Sequence, residues 1–307
     1  MRTPSIVSRS LYREQPLLVE VALVTATLAA VSLWFDGTQQ LTSVVLPTGL
    51  GGSVGIWAHL AVLLVGTAVF VVAYSRFRGV ELRFGPPALD SLPAAGVAVF
   101  APAALVLLTD AFAGALGGRY SALSGTRWTA GAPPEVVLTL VVLAPLAGSV
   151  ALALVFQGAV QGTFREVLSA RRAAVLTVGF GAVALVDGTG GALGFFPSTG
   201  GFVFLVLLVV ALLVGRYVER RAETGWDRRV GYAPLAALLA LGVYGVFGEV
   251  SGLADVAFVC LQVTVLALAA WGYDRTDSLV VPAGTYLAFF ATGQAVALLF
   301  EAMPAPA

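Results

Sequence analysis

Residues 136–158 read VVLTLVVLAPLAGSVALALVFQG, 23 consecutive positions without one ionisable side chain. A helix needs about 20 largely apolar residues to cross the hydrocarbon core, so this stretch reads as a transmembrane span. Inside lipid each backbone N–H and C=O must be paired within the protein, which leaves helices or closed barrels; a continuous apolar run selects the helix. Working outward with the same ruler gives eight further candidates, at 17–35, 54–75, 92–108, 173–187, 201–216, 232–247, 254–273 and 279–300. Three are weak. Span 92–108 carries Pro93 and Pro102, 173–187 is short, and 232–247 is short and rich in Ala and Gly. The expected fold is all-α: a polytopic transmembrane bundle of about nine spans, with 1–307 forming a single integral membrane domain.

Composition leads to the same place. Of 307 residues 59% are hydrophobic and 11% charged, and the mean hydropathy is +0.93. Soluble domains carry about 25% charged residues, so this chain has too few to cover its surface, and the lipid bilayer is its first partner. Formal net charge is zero, which argues against nucleic acid as a partner, because phosphate binding needs a basic excess. Cys260 is the lone cysteine, so an intramolecular disulfide is excluded. The chain has no lysine, hence no Schiff-base or general-base lysine, and no asparagine, hence no N-glycosylation acceptor.

Arginine placement tests the span count independently. Short cytoplasmic loops collect Arg and Lys. Here Arg2, Arg9 and Arg13 precede the first span; Arg76, Arg78 and Arg83 follow the second; Arg165, Arg171 and Arg172 follow the fourth. Arg216, Arg220, Arg221, Arg228 and Arg229 follow the sixth span and Arg275 the eighth, while the alternate loops hold only Arg119 and Arg127. The expected topology is N-terminus inside and C-terminus outside, in the cell membrane. The first run is long for a signal peptide, and Trp34, Phe35 and Asp36 stand where a small-residue cleavage site should be, so it reads as a retained span.

Small residues at Gly51 and Gly55, Gly181 and Ala184, Gly242 and Gly245, and Gly284 and Ala288 mark faces where helices can approach closely. The run GTGGALGFFPSTGG (188–201) lacks the lysine of a phosphate loop and reads as an external turn. Ionisable groups at membrane depth are few. Glu20 lies one turn into the first span, placed to reach the interface or pair with an arginine. His59 is the sole histidine, without acidic or thiol neighbours in sequence, so no metal site is expected; Glu135 and Asp187 bound spans and face water. No two carboxylates share a span at helical spacing, so neither paired acid–base catalysis nor a proton relay is legible.

Two stretches carry a resemblance. Residues 152–187 read LALVFQGAVQGTFREVLSARRAAVLTVGFGAVALVD, and the run from Trp271 to Phe300 begins WGYDRTDSLVVPAG. Together they are similar to the CPBP intramembrane proteases, the CAAX-processing and bacteriocin-processing group. That family carries Glu-Glu-x-x-x-Arg at the end of one span, Phe-x-x-x-His on the next, and Tyr-x-Arg-Thr-x-Ser-Leu-x-x-Pro leading into a final His-x-x-x-Asn. Groups at i and i+4 project from one helix face, and three such helices would gather Glu and His to activate a water, directly or through a metal.

The frame is present here and the chemistry is not. Leu152 and Ala153 stand at the glutamate positions and Gln157 at the arginine. Phe180 is kept, but Ala184 replaces its histidine partner, and Tyr286 and Phe290 replace the last pair. From Phe180 to Arg275 is 95 residues, longer than the family pattern implies. The family-like frame is therefore read in 136–187 and 271–300, with 188–270 an insertion bearing extra spans. The frame rests on Phe156, Gly158, Arg275, Ser278, Leu279 and Pro282, with Ser278 expected to cap the last helix.

The resemblance implies a catalytically inactive relative, without catalytic, metal or cofactor-binding residues. It would hold a hydrophobic peptide, a lipid or a partner helix in a membrane cavity lined by Gln157, Phe180 and Tyr286. The alternative is a small-solute or lipid transporter, or a structural membrane subunit, unrelated to proteases.

Overall fold

The computed structural model describes residues 16–45, 52–125, 134–185 and 252–301, with scattered positions between 206 and 237. Among the described residues every regular element is helical. In chain order these are α1 (Pro16–Val45), α2 (Gly52–Arg78), α3 (Leu92–Ala115), the short α4 (Tyr120–Ser124), α5 (Pro134–Arg165), α6 (Ala170–Leu185), α7 (Leu253–Thr276) and α8 (Val280–Val296, continuing as π-helix over Ala297–Glu301). Six of them, α1, α2, α3, α5, α7 and α8, are long and apolar enough to cross a membrane. The chain is a multi-pass helical membrane protein.

The six differ from the nine expected for identifiable reasons. The candidate 173–187 is described only as far as Leu185, as the 16 residues of α6, about 24 Å at 1.5 Å per residue against a ~30 Å hydrocarbon core. The candidates 201–216 and 232–247, apart from scattered positions, and the turn 188–201, Asp187 and the glycines at 51, 242 and 245 lie outside the described residues. The proline-bearing candidate 92–108 is a full helix of 24 residues. Pro93 occupies its first turn, where the missing N–H has no helical partner to lose, and Pro102 is buried inside it.

Helix α5 extends the 136–158 reading to Pro134–Arg165 and is not a uniform α-helix. Its turns widen to π-helix at Thr139–Leu143 and again at Ala153–Gln161. The first wide stretch ends just before Pro145, whose ring would otherwise press on the carbonyl four residues earlier. The second holds both glutamines of the helix, Gln157 and Gln161.

Helix α8 packs on α3, α5 and α7; α7 also packs on α3 and α6; α1 pairs with α2, which lies along α5. Small residues set several of these contacts. A Cβ at Gly181 would fall 2.1 Å from a methyl of Leu266, and one at Gly284 would fall 3.0 Å from Val99. Gly272 sits between Ala98 and Val281, and the backbone at Gly158 and Gly162 receives Leu82 and Val80 from the loop after α2. Aromatic and aliphatic side chains of α1, α2, α5, α7 and α8 fill one continuous core, including Leu28, Phe156, Leu266 and Phe289.

Ion pairs assign the helix ends to sides. Glu20 near the start of α1 pairs with Arg78 at the end of α2. Arg83, in the loop after α2, and Arg165, at the end of α5, both pair with Asp277 at the end of α7. The start of α1 and the ends of α2, α5 and α7 therefore lie on one side of the bundle. These are the ends that carry the arginines of the first, second, third and fifth basic segments.

Candidate functional site

The second π-helical stretch of α5 turns Gln157 toward α8. Its Nε2–H donates to the hydroxyl of Tyr286 at 3.0 Å, joining residues 129 apart in sequence. Both side chains are completely buried. An amide left unpaired in such surroundings would cost on the order of 1–3 kcal/mol, so the bond fixes how α5 and α8 face one another. Leu152, Ala153, Phe180 and Phe290 are buried in the same apolar cluster as Tyr286. Phe180 lies against Phe164, ring centroids 5.5 Å apart. Ala184 is on α6, but its side chain is outside those described. Of the positions the sequence singles out, the structure brings Gln157 and Tyr286 into direct contact.

Gln161, one turn further along α5, was not singled out. It is equally buried, and its Nε2–H donates to the carbonyl of Ala270 on α7 at 3.1 Å. The spacing is legible: a second glutamine four residues after the first repeats on the same helix face. The amide oxygens of both glutamines are buried and have no partner among the described residues.

Arg165 continues the same four-residue step to the helix end. It donates to Asp277 at 3.0 Å and Asp274 at 3.1 Å, and its guanidinium lies 4.5 Å from the centre of the Tyr273 ring. Asp277 adopts a left-handed backbone, φ 51°, a conformation Asp tolerates better than most residues. Arg83 reaches the same carboxylate, and the Leu279 N–H donates to the Arg83 carbonyl at 2.8 Å. The Glu81 hydrogen bond, then the Asp277 charge, raise the pKa of Arg83 above its ordinary value.

Ser278 donates to the Gly85 carbonyl at 2.5 Å and accepts the Val280 N–H at 3.3 Å. The N-cap position itself is Leu279, so Ser278 ties the loop after α2 to α8 as well as serving its first turn. Arg275, the arginine the sequence marks out in this motif, is exposed. Asp274 and Asp277 do the pairing instead, and acids three apart at a helix end, with arginines in two neighbouring connections, were the available signal.

Glu20 is fully buried and accepts both contacts from Nη2 of Arg78, 2.6 Å to Oε2, the arginine pairing its position allowed. His59 is partly exposed on α2. Among the described residues no three His, Cys, Asp or Glu side chains gather as metal ligands. Tyr120, outside the spans, packs edge-on to Phe258 at 5.7 Å; burial, then the charge of Asp110, raise its phenol well above the ordinary range.

No protein-family model, curated protein or solved structure matches this chain.

Proposed function

We propose that this chain is a non-hydrolytic membrane protein on the frame of the CPBP intramembrane proteases, one that holds a hydrophobic peptide, lipid or partner helix without cutting it. The observation that carries the reading is the Gln157–Tyr286 hydrogen bond. It joins two positions that the family frame assigns to one catalytic centre, on helices that sequence distance alone gives no reason to pair. Phe180 on α6 belongs to the same buried cluster.

The chemistry of the pair supports holding rather than cutting. A glutamine amide is neither acid nor base near neutral pH, and a phenol ordinarily ionises near pH 10. Neither group can take a proton from water at pH 7 as a carboxylate or imidazole would. Leu152, Ala153 and Phe290, buried beside them, keep the surroundings apolar, which favours an acyl chain or an apolar helix over an ion. The arginine-rich side of the bundle faces the cytoplasm in this reading, with the N-terminus inside, the C-terminus outside and nine spans in all.

The test uses the full chain in lipid nanodiscs, titrated with a dansyl-labelled prenylated peptide and separately with a labelled single-span peptide. Saturable binding of one of them with no cleaved fragment is expected. Turnover of either peptide, or saturable binding of neither, would sink the proposal.

A further inference from the structure

The face of α5 that carries Gln157, Gln161 and Arg165 holds three buried polar atoms without a partner among the described residues: Oε1 of each glutamine and Nε of the arginine. The side chains of Gln157 and Gln161 are wholly inaccessible. For Gln161 the assignment of the amide is fixed, because its neighbour is the Ala270 carbonyl, which can only accept; the oxygen must therefore be the atom turned away. For Gln157 the partner is a hydroxyl that both gives and accepts, so either orientation leaves one amide atom over. Two orphaned amide groups one turn apart at membrane depth are expensive. They also lie on a wide π-helical stretch, a departure from the α-helix found mostly where a function requires it.

From these atoms we infer a bound file of water molecules along this face, running from Arg165 inward past Gln161 to Gln157 and Tyr286. The chemistry of the three atoms selects water over a cation. Two of them need a donor and the third needs an acceptor, and water alone supplies both. A cation would satisfy the glutamine oxygens, but it would leave the Arg165 N–H unmet and would sit near a guanidinium. From Gln161 to Arg165, where the helix is again α, four residues advance about 6 Å along the axis, close to the ~5.6 Å that one water spans when it bonds to both neighbours. A buried water needs two to four polar partners. Beside Gln161 it has the glutamine oxygen and the Arg165 N–H, and further in it has Gln157 and the Tyr286 hydroxyl. The file gives the helix core a wet inlet from the arginine-rich side. It does not depend on the protease resemblance, since it rests on the unpaired polar atoms of α5 and the groups they face on α7 and α8.

Radiolytic hydroxyl-radical footprinting of the protein in nanodiscs, in 18O-labelled water, tests it. Radicals formed from bound water label the side chains beside it. Tyr286 is expected to take up 18O well above the rate at Phe258, an aromatic buried in the same core away from this face. In Gln161→Met and Gln157→Met, near in size but without amide groups, labelling of Tyr286 should fall to the Phe258 level.

Tyr286 at the Phe258 level in the wild-type protein would overturn the inference, and that arm does not depend on the folding of any variant. Undiminished labelling in both variants, each eluting as a monodisperse species, would also overturn it. So would a melting temperature that rises with Na+ or K+ but not with choline at equal ionic strength, which would place a cation at the same oxygens.

Discussion

Replacing Arg78 with methionine removes the one cation, among the described residues, in contact with a carboxylate that has no solvent exposure. Glu20 is fully buried, while Arg78 keeps 16% of its side chain accessible, and both carboxylate oxygens bond to Nη2. Breaking a buried pair from one side costs about 3–5 kcal/mol, because the remaining charge is left without compensation. The partial exposure of Arg78 admits some water to the vacated site, which sets the expectation at the lower end, about 3 kcal/mol. For a chain of this size that is a fall in melting temperature of roughly 6 °C.

The double variant Glu20→Leu with Arg78→Met removes the charge as well as its partner. It should lie within about 1 kcal/mol of the wild type, since apolar replacement of a whole buried pair is often near neutral. The coupling between the two sites is then about 2 kcal/mol or more, as expected for groups in direct contact. The assay is the fraction of protein eluting as a monodisperse peak after heating in detergent, read across a temperature series for the four members of the cycle. A single variant as stable as wild type, or a double variant no better than Arg78→Met alone, refutes the reasoning.

Other substitutions probe other parts of the bundle. Gly66→Ala would place a Cβ 2.0 Å from the Trp34 ring; the ring is rigid and its N–H reaches the Leu63 carbonyl at 3.4 Å, so a loss of about 1–3 kcal/mol is expected in the same heating assay. Tyr286→Phe should cost about 1–3 kcal/mol by stranding the Gln157 amide, and adding Gln157→Met should recover most of it. In the folded protein the Tyr120 phenol stays protonated above its ordinary range, whereas in the unfolded chain it ionises near pH 10. Its contribution to stability is thus complete below about pH 10 and is lost as pH rises beyond that. Absorbance at 295 nm should show no Tyr120 component titrating near pH 10 in the wild-type minus Tyr120→Phe difference. In a Cys260→Ser background, single cysteines at Ser198 and Ser251 should label with an impermeant reagent from outside intact cells, and one at Thr224 should not; external labelling at 224 alone would reverse the topology.

Much of the bundle was legible because membrane depth is written in hydropathy. The cores of α1, α2, α5, α7 and α8 coincide with apolar runs, and the close approaches at Gly181 and Gly284 fall where small residues were noted. The arginine that Glu20 awaited is Arg78, one of the residues that set the topology. What stayed illegible depends on three-dimensional neighbours. Wide π turns have no periodic signature in sequence, and only Pro145 hinted at one of the two in α5. Gln161 passed unremarked because a glutamine beside an apolar run reads as an interface residue until its partner, a backbone carbonyl on α7, is placed. The clasp at Asp277 required loops distant in sequence to meet, and the motif drew attention to the exposed Arg275 instead.

The claim on which the account turns is that α5 and α8 meet at Gln157 and Tyr286. Rotational-echo solid-state NMR on protein in lipid, with 15Nε-glutamine and 13Cζ-tyrosine, measures that contact directly. One nitrogen–carbon pair should show a dipolar coupling corresponding to about 4 Å, the distance a hydrogen bond of this length sets between amide nitrogen and ring carbon. That coupling should vanish in both Gln157→Met and Tyr286→Phe. A spectrum without such a pair, or one whose short coupling survives both substitutions, would show that the two helices do not converge there and would remove the basis for the proposed function.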